Sequence, residues 1–139
     1  MEEGQEMIDC QCNCGAVKFR VTRKPDSAYV CHCSICRRSS GANGVAVCIY
    51  ANDEFEWVSG EEHIKHWTKP GHDWHKQFCD ICGSFLPGVN DPERMFVPAG
   101  LFLGENQPPH VSNHILVDSR APWDVIGDDG KQHPEHFTD

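Results

Sequence analysis

The distribution of cysteine is the feature that most constrains how this chain can fold. Nine cysteines occur among 139 residues, and eight of them fall into three clusters with Cys-x-Cys or Cys-x-x-Cys spacing. The clusters span residues 10–14, 31–36 and 79–82. Such spacing lets neighbouring thiols share one metal ion, whereas disulfide frameworks are typical of smaller secreted domains. The clusters therefore predict metal ligation.

The first and third clusters each end in Cys-Gly, at Gly15 and Gly83. A turn that folds two thiolates onto one ion often needs positive φ just after the second ligand, and glycine adopts that conformation at least steric cost. This pattern favours Cys12 and Cys14 over Cys10 as ligands. The sequence predicts a structural zinc ion in a closed tetrahedron of thiolates from Cys12, Cys14, Cys79 and Cys82. Buried free cysteines are the alternative interpretation.

The middle cluster places three thiols within six residues, at Cys31, Cys33 and Cys36. Three local ligands leave a fourth coordination position open, which distinguishes catalytic zinc from structural zinc. The alternative is that Cys48 or a histidine closes a second structural site, although Cys48 lies in an apolar run and suits a small core residue. A redox role for the Cys-x-x-Cys pair is disfavoured because the βαβ surroundings of a thioredoxin-like motif are missing.

Two arginines, Arg37 and Arg38, directly follow the middle cluster. A guanidinium group can bind a substrate carboxylate through two hydrogen bonds, so both are candidates for substrate binding. Solvent exposure or charge balance for the thiolates is the alternative.

The histidines lack a ligand pattern, because none forms His-x-x-x-His near a cluster. We expect surface or hydrogen-bonded roles for His32, which lies inside the middle cluster, and for four others predicted in loops or at strand ends: His72, His75, His110 and His114.

Charge and patterning limit the partners and the compartment. Acidic residues number 21 and basic residues 12, and the net charge of -9 opposes binding to a phosphate backbone. The acidic start is not a secretory signal, and no apolar stretch is long enough to span a bilayer. We therefore expect no nucleic-acid or membrane partner, and a cytoplasmic location where thiols stay reduced.

The pattern between the clusters predicts a mainly β fold. Short runs rich in β-branched and aromatic residues, bounded by turn residues, predict strands at residues 16–22, 45–50, 55–58, 63–67 and 74–78. One short helix is predicted over Ser34–Ser40, with Ser34 as its cap. No linker or repeat is evident, so residues 1–139 are expected to form a single zinc-binding domain.

The order of the motifs resembles that of one known family. Cys-x-Cys-Gly-Ala-Val is followed by Cys-His-Cys-Ser-x-Cys-Arg-Arg and then by Phe-Cys-x-x-Cys-Gly-Ser, and residues 114–123 look like a closing motif. This order is similar to that of the glutathione-dependent formaldehyde-activating enzyme family, which includes centromere protein V. The resemblance implies that Cys12, Cys14, Cys79 and Cys82 hold a structural zinc ion and that Cys31, Cys33 and Cys36 hold a catalytic one.

The resemblance also implies a fold and an activity. The fold would be a β-tent of several small antiparallel sheets with zinc-binding knuckles and one short helix. The activity would be that of a carbon–sulfur lyase of the S-(hydroxymethyl)glutathione synthase type, joining formaldehyde or a related small aldehyde to glutathione or a similar thiol. The sequence identifies no general acid or base, and a non-catalytic zinc-stabilised binding module is the rival interpretation.

Overall fold

The computed structural model describes residues 7–137, which form two compact units. The first unit comprises residues 7–24 and 49–107, and the second comprises residues 25–48 and 108–137. Each candidate metal-binding cysteine group lies wholly within one unit. The expectation of a single domain over residues 1–139 stays a prediction.

Short strands dominate the described residues. The strands are β1 (Ile8–Gln11), β2 (Lys18–Val21), β3 (Ala28–Cys31), β4 (Val45–Ala51), β5 (Phe55–Ser59), β6 (Ile64–Thr68), β7 (His75–Cys79), β8 (Phe85–Leu86), β9 (Gly88–Asp91), β10 (Arg94–Pro98), β11 (Val111–Ile115) and β12 (Lys131–Gln132). The α-helix of this part of the chain, α1, spans Ser34–Ser40. Short 3-10 turns lie at Asn52–Glu54, Glu61–His63, Ala99–Leu101, Gly104–Asn106 and Val117–Ser119. Across residues 7–137, no helix is long and apolar enough to span a bilayer.

The predicted mainly β fold class is confirmed. All five predicted strands are present as β2, β4, β5, β6 and β7, with ends displaced by one or two residues, and the predicted helix has the bounds of α1. The pairing adds one feature to the expected antiparallel sheets, because β11 pairs in parallel with both β3 and β12.

The first unit contains two small antiparallel sheets and a hairpin. The sheets have the strand orders β1-β2-β5 and β6-β7-β8, and β9 pairs with β10. Alternation along β2 buries Phe19 completely, and its ring stacks on Phe55 at 5.4 Å between centroids. A second apolar cluster joins Cys12, Val17, Cys79 and Leu86. Two predicted zinc ligands therefore lie in the hydrophobic core.

The second unit carries strands in the order β12-β11-β3-β4. Strand β3 pairs with β4 through Tyr29↔Val47 to Cys31↔Val45, and with β11 through Val30↔His114 and Ile115↔Cys31. The middle cysteine cluster begins at the end of β3 and continues into α1. The described part of this unit also buries three histidines, His32, His114 and His133.

The ends of α1 are fixed by local hydrogen bonds. Cys33 is the N-cap in an extended conformation, and its Sγ accepts a hydrogen bond from the Cys36 N–H at 3.3 Å. The prediction that Ser34 caps the helix is therefore wrong by one residue, because Ser34 already has helical geometry. Gly41 ends the helix with φ +70°, and its N–H donates to the Arg37 carbonyl at 2.8 Å.

Candidate metal centres

The sulfur atoms of Cys12, Cys14, Cys79 and Cys82 converge in the first unit, all within 4.8 Å of one another. The Cys12 and Cys14 sulfurs are 3.7 Å apart, and those of Cys14 and Cys79 are 3.8 Å apart. Four thiolates at about 2.3 Å from a central zinc ion have a sulfur-to-sulfur separation of about 3.8 Å. The donor set of this four-cysteine group therefore fits zinc.

Hydrogen bonds to sulfur support the four-cysteine group. The N–H groups of Val17 and Ile81 donate to the sulfurs of Cys12 and Cys79 at 3.4 Å each. A third bond runs from the Ala16 N–H to Cys14 Sγ at 3.5 Å. Donors aimed at sulfur stabilise the thiolate form that binds metal.

Ser84 joins the two halves of this group. Its hydroxyl oxygen accepts a hydrogen bond from the Asn13 N–H at 2.9 Å and lies 3.1 Å from Cys82 Sγ. The hydrogen bond from this hydroxyl lowers the pKa of Cys82 to about 5. Ser84 is the last residue of the Phe-Cys-x-x-Cys-Gly-Ser motif, but the sequence predicted no role for it.

The glycines after the second cysteine of each pair have the predicted conformation. Gly15 has φ +81° and Gly83 has φ +79°. Each lets the chain reverse immediately after a ligand, and the turns are closed by N–H donation from Gly15 to Cys12 O and from Gly83 to Cys79 O. The prediction drawn from the Cys-Gly repeats is confirmed for the backbone.

The sulfurs of Cys31, Cys33 and Cys36 converge in the second unit, also within 4.8 Å of one another. Cys31 ends β3, Cys33 caps α1 and Cys36 lies in its first turn. Hydrogen bonding from the Cys36 thiol lowers the pKa of Cys31 to about 6, and the same interaction raises the pKa of Cys36. Three soft thiolates fit zinc, and within residues 7–137 no fourth ligand atom joins this three-cysteine group.

The two remaining cysteines lie outside both groups. Cys48 is buried in β4, as its apolar surroundings predict. Cys10 is buried in β1, and its Sγ donates to the Ile8 carbonyl at 3.9 Å. The preference for Cys12 and Cys14 over Cys10 therefore agrees with the observed grouping.

Arg37 and Arg38 lie on α1 directly after the last cysteine of the three-cysteine group. Arg37 is half-buried and its Nε is shielded from solvent without a hydrogen-bond acceptor, whereas Arg38 is exposed.

A chain of hydrogen bonds runs through the buried histidines of the second unit. The His114 Nε2 lies 2.8 Å from Asp128 Oδ1, and the His32 Nε2 lies 2.8 Å from His114 Nδ1. A carboxylate only accepts, so His114 donates to Asp128 through Nε2–H, and a neutral His114 ring then accepts from His32 at Nδ1. The hydrogen bond from His114 lowers the pKa of Asp128.

Asp124 faces the other side of the His32 ring. Its Oδ2 is 3.4 Å from His32 Nδ1, within ion-pair distance but not aligned as a hydrogen bond. The Asn43 side chain donates to Asp124 Oδ1 at 3.2 Å. Burial and the neighbouring His114 lower the pKa of His32, and Asp124 opposes them.

Sequence reasoning missed this network. It gave His32 and His114 unspecific hydrogen-bonded roles, and it did not single out Asp124 or Asp128. The one available signal was the position of His32 between two ligand-spaced cysteines. Among the other histidines considered, His72 and His110 are exposed, and His75 is half-buried in β7 with its ring stacked on His66 at 5.5 Å.

Comparisons with known proteins agree with the motif order. The sequence profile of a family described as glutathione-dependent formaldehyde-activating enzyme matches residues 7–119. A Halomonas elongata protein, provisionally named a glutathione-dependent formaldehyde-activating enzyme, is 30% identical over 128 residues, which cover 84% of this chain and 79% of that protein.

A solved structure supports the fold. The crystal structure of a Rhodobacter sphaeroides protein aligns with a TM-score of 0.58 and 24% identity, covering 70% of this chain and 89% of the other. At this identity the likeness concerns the fold alone. The family profile and the Halomonas relative both extend over most of the sequence, and the resemblance read from the cysteine motifs is confirmed. This chain therefore belongs to the glutathione-dependent formaldehyde-activating enzyme family.

Proposed function

We propose that this chain is a zinc-dependent carbon–sulfur lyase of the S-(hydroxymethyl)glutathione synthase type. It joins formaldehyde or a related small aldehyde to glutathione or a similar thiol at the three-cysteine group. The observation that carries the proposal is the difference between the two cysteine groups. Four sulfurs converge in one and three in the other, so only the second leaves a coordination position for a substrate.

The proposed metal content is two zinc ions per chain, with a structural ion at the four-cysteine group and a catalytic ion at the three-cysteine group. Zinc at the latter would supply Lewis acidity that lowers the pKa of a thiol in its open position. Thiolates stay free for metal in a reducing compartment, which favours a cytoplasmic location. Both units together would make up the single zinc-binding domain predicted over residues 1–139.

The chemistry proposed for this site is thiol activation. Three anionic ligands, Cys31, Cys33 and Cys36, reduce the positive charge available to polarise a carbonyl group, so their main effect is to hold and orient the thiol. In the reaction the sulfur adds to the aldehyde carbon and the carbonyl π bond opens. The thiol sulfur loses one proton, and the new hydroxyl oxygen gains one. The step is redox-neutral and needs no further reactant.

Arg37 and Arg38 are the proposed substrate-binding residues. Glutathione carries two carboxylates, and the position of Arg37 on α1, directly after the last cysteine of the three-cysteine group, supports a role in receiving one of them. Arg38 is exposed on the same short helix, and its positive charge would attract the anionic thiol as it approaches the site. We expect Arg37→Lys to raise KM for glutathione more than it lowers kcat, because lysine keeps the charge but loses the planar donor pair.

The test is the rate of adduct formation from formaldehyde and glutathione, measured above the spontaneous rate with the fully zinc-loaded protein. We expect acceleration by the native chain, its loss in Cys36→Ser and its retention in Cys48→Ser. The latter is the matched control, because Cys48 is equally buried but lies outside both groups.

The rival function is a non-catalytic zinc-stabilised binding module. It would be supported if no acceleration occurred with glutathione or other small thiols across a series of small aldehydes at full zinc loading. Tight, salt-dependent binding to DNA at physiological salt would support it further, since the net charge of -9 predicts the opposite.

A further inference from the structure

The second unit holds a buried polar network with no role in the proposed reaction. Its members come from three separate segments: His32 between β3 and α1, His114 in β11, and Asp128 in the loop before β12. Only 1% of His32 and 4% of His114 is exposed. Burying two imidazoles costs free energy unless their ring nitrogens are hydrogen-bonded, so the network holds a defined geometry.

The position of His32 connects this network to the three-cysteine group. Successive residues of an extended chain point to opposite sides, so the His32 side chain points away from those of Cys31 and Cys33. The His32 N–H also donates to the Ile115 carbonyl of β11 at 3.0 Å. The Cys31–Cys33 segment is thus attached to β11 by one backbone hydrogen bond and one side-chain hydrogen bond, both made by His32.

The network ends at a fixed acceptor. Asp128 Oδ1 accepts hydrogen bonds from His114 Nε2 and from the Gly130 N–H, both at 2.8 Å. This carboxylate fixes which His114 nitrogen carries the proton, and the His114 ring in turn fixes the orientation of His32. Asp124 Oδ2 lies on the opposite side of the His32 ring, 3.4 Å from Nδ1.

We propose that His32, His114 and Asp128 form a positioning network that preorganises the Cys31–Cys33 segment for metal binding. The inference rests on the proposed zinc site, and it adds residues that touch neither the metal nor the substrate. Partners outside the ligand shell hold ligands in place, and their loss commonly weakens metal binding roughly 10–100-fold.

The test compares zinc affinity at the two cysteine groups of the full chain. Competition with chelators of graded strength gives the affinities, and absorption of the cobalt-substituted protein identifies which group has released its ion. The four-cysteine group serves as the internal reference in each sample. We expect His114→Phe and Asp128→Ala to weaken the three-cysteine group roughly 10–100-fold and to leave the reference unchanged.

Two controls separate positioning from general destabilisation. His133→Phe removes another buried histidine of the same unit, one whose Nε2 is bonded to Asn113 Oδ1 at 2.9 Å. It should leave both affinities unchanged. Asp128→Asn keeps an acceptor oxygen for His114 and should recover most of the affinity lost in Asp128→Ala. Asp128 is partly exposed, so its variants stay informative should His114→Phe fail to fold.

Equal affinities in the native chain, Asp128→Ala and His133→Phe would overturn the proposal, as would a native chain that binds one zinc ion only. The activity assay is read separately. A native chain that does not accelerate adduct formation, but whose three-cysteine group loses zinc affinity in Asp128→Ala, would refute the proposed function and leave the positioning network standing.

Discussion

Replacing one cysteine in each group tests whether the two groups have different roles in stability. Cys79→Ser removes a fully buried cysteine of the four-cysteine group, and Cys36→Ser removes a buried cysteine of the three-cysteine group. A metal ion stabilises the native state only by the excess of its affinity for that state over its affinity for the unfolded chain. The separation of ligands along the chain therefore decides the size of each effect.

The magnitude follows from the two separations. The four-cysteine group joins Cys14 to Cys79, which are 65 residues apart, whereas Cys31 and Cys36 are 5 apart. An unfolded chain must close a loop about thirteen times longer to hold the first ion, at an extra cost of about 2 kcal/mol. We expect zinc-loaded Cys79→Ser to be less stable than zinc-loaded Cys36→Ser by about this amount, which for a chain of this size lowers Tm by roughly 6–8 °C.

The assay is thermal and urea unfolding of the zinc-loaded variants, followed by circular dichroism. Cys48→Ser is the control for replacing a buried thiol that lies outside both groups. Equal losses of stability in Cys79→Ser and Cys36→Ser would refute the reasoning and would indicate that both groups are structural.

Three further predictions follow from the same structure. In a chelation time course the three-cysteine group should lose its zinc first, while the circular dichroism signal of the folded protein is retained. Loss of both ions in one step, together with unfolding, would contradict this prediction. Gly60→Ala should destabilise the protein far more than Gly41→Ala in urea titrations. Both glycines have positive φ, but only at Gly60 would an added Cβ meet the Ala16 carbonyl oxygen. Equal losses of stability in the two variants would contradict this prediction. Burial raises the pKa of Glu54, but hydrogen bonds from Arg23 and from a backbone N–H outweigh burial and lower the pKa below its ordinary value of 4.5. The stability that these hydrogen bonds provide is therefore lost as pH falls from above 4.5 through the pKa of the folded state. Glu54→Gln should flatten this part of the pH–stability curve, and an unchanged curve would contradict the assignment.

Much of the architecture could be predicted because it depends on local patterns. Burial alternates along β2 and β5, and α1 begins at Ser34, a residue type common at helix starts. The turns at Gly15 and Gly83 were predictable because the need for positive φ restricts the residue type. The cysteine groups were predictable because short spacing constrains two ligands at once.

The remainder depends on contacts between distant segments. The parallel pairing of β11 with β3 brings His114 beside His32, and residues that are 82 apart in sequence carry no local sign of this approach. Asp128 lies in an irregular loop where neither periodicity nor spacing marks a partner. The displaced cap at Cys33 was missed because a cysteine sulfur, which is an uncommon capping acceptor, replaced the expected hydroxyl group.

Titration of the fully metal-loaded chain with glutathione tests the central claim most directly. In the cobalt-substituted protein, absorption reports the two cysteine groups separately, and metal analysis gives the number of ions per chain. We expect two ions per chain and a saturable spectral change at the three-cysteine group, complete at one thiol per chain, with the four-cysteine group unaffected. A single bound ion, or a spectrum that glutathione and other small thiols leave unchanged at both groups, would contradict the proposal that the three-cysteine group is an open site for a substrate thiol.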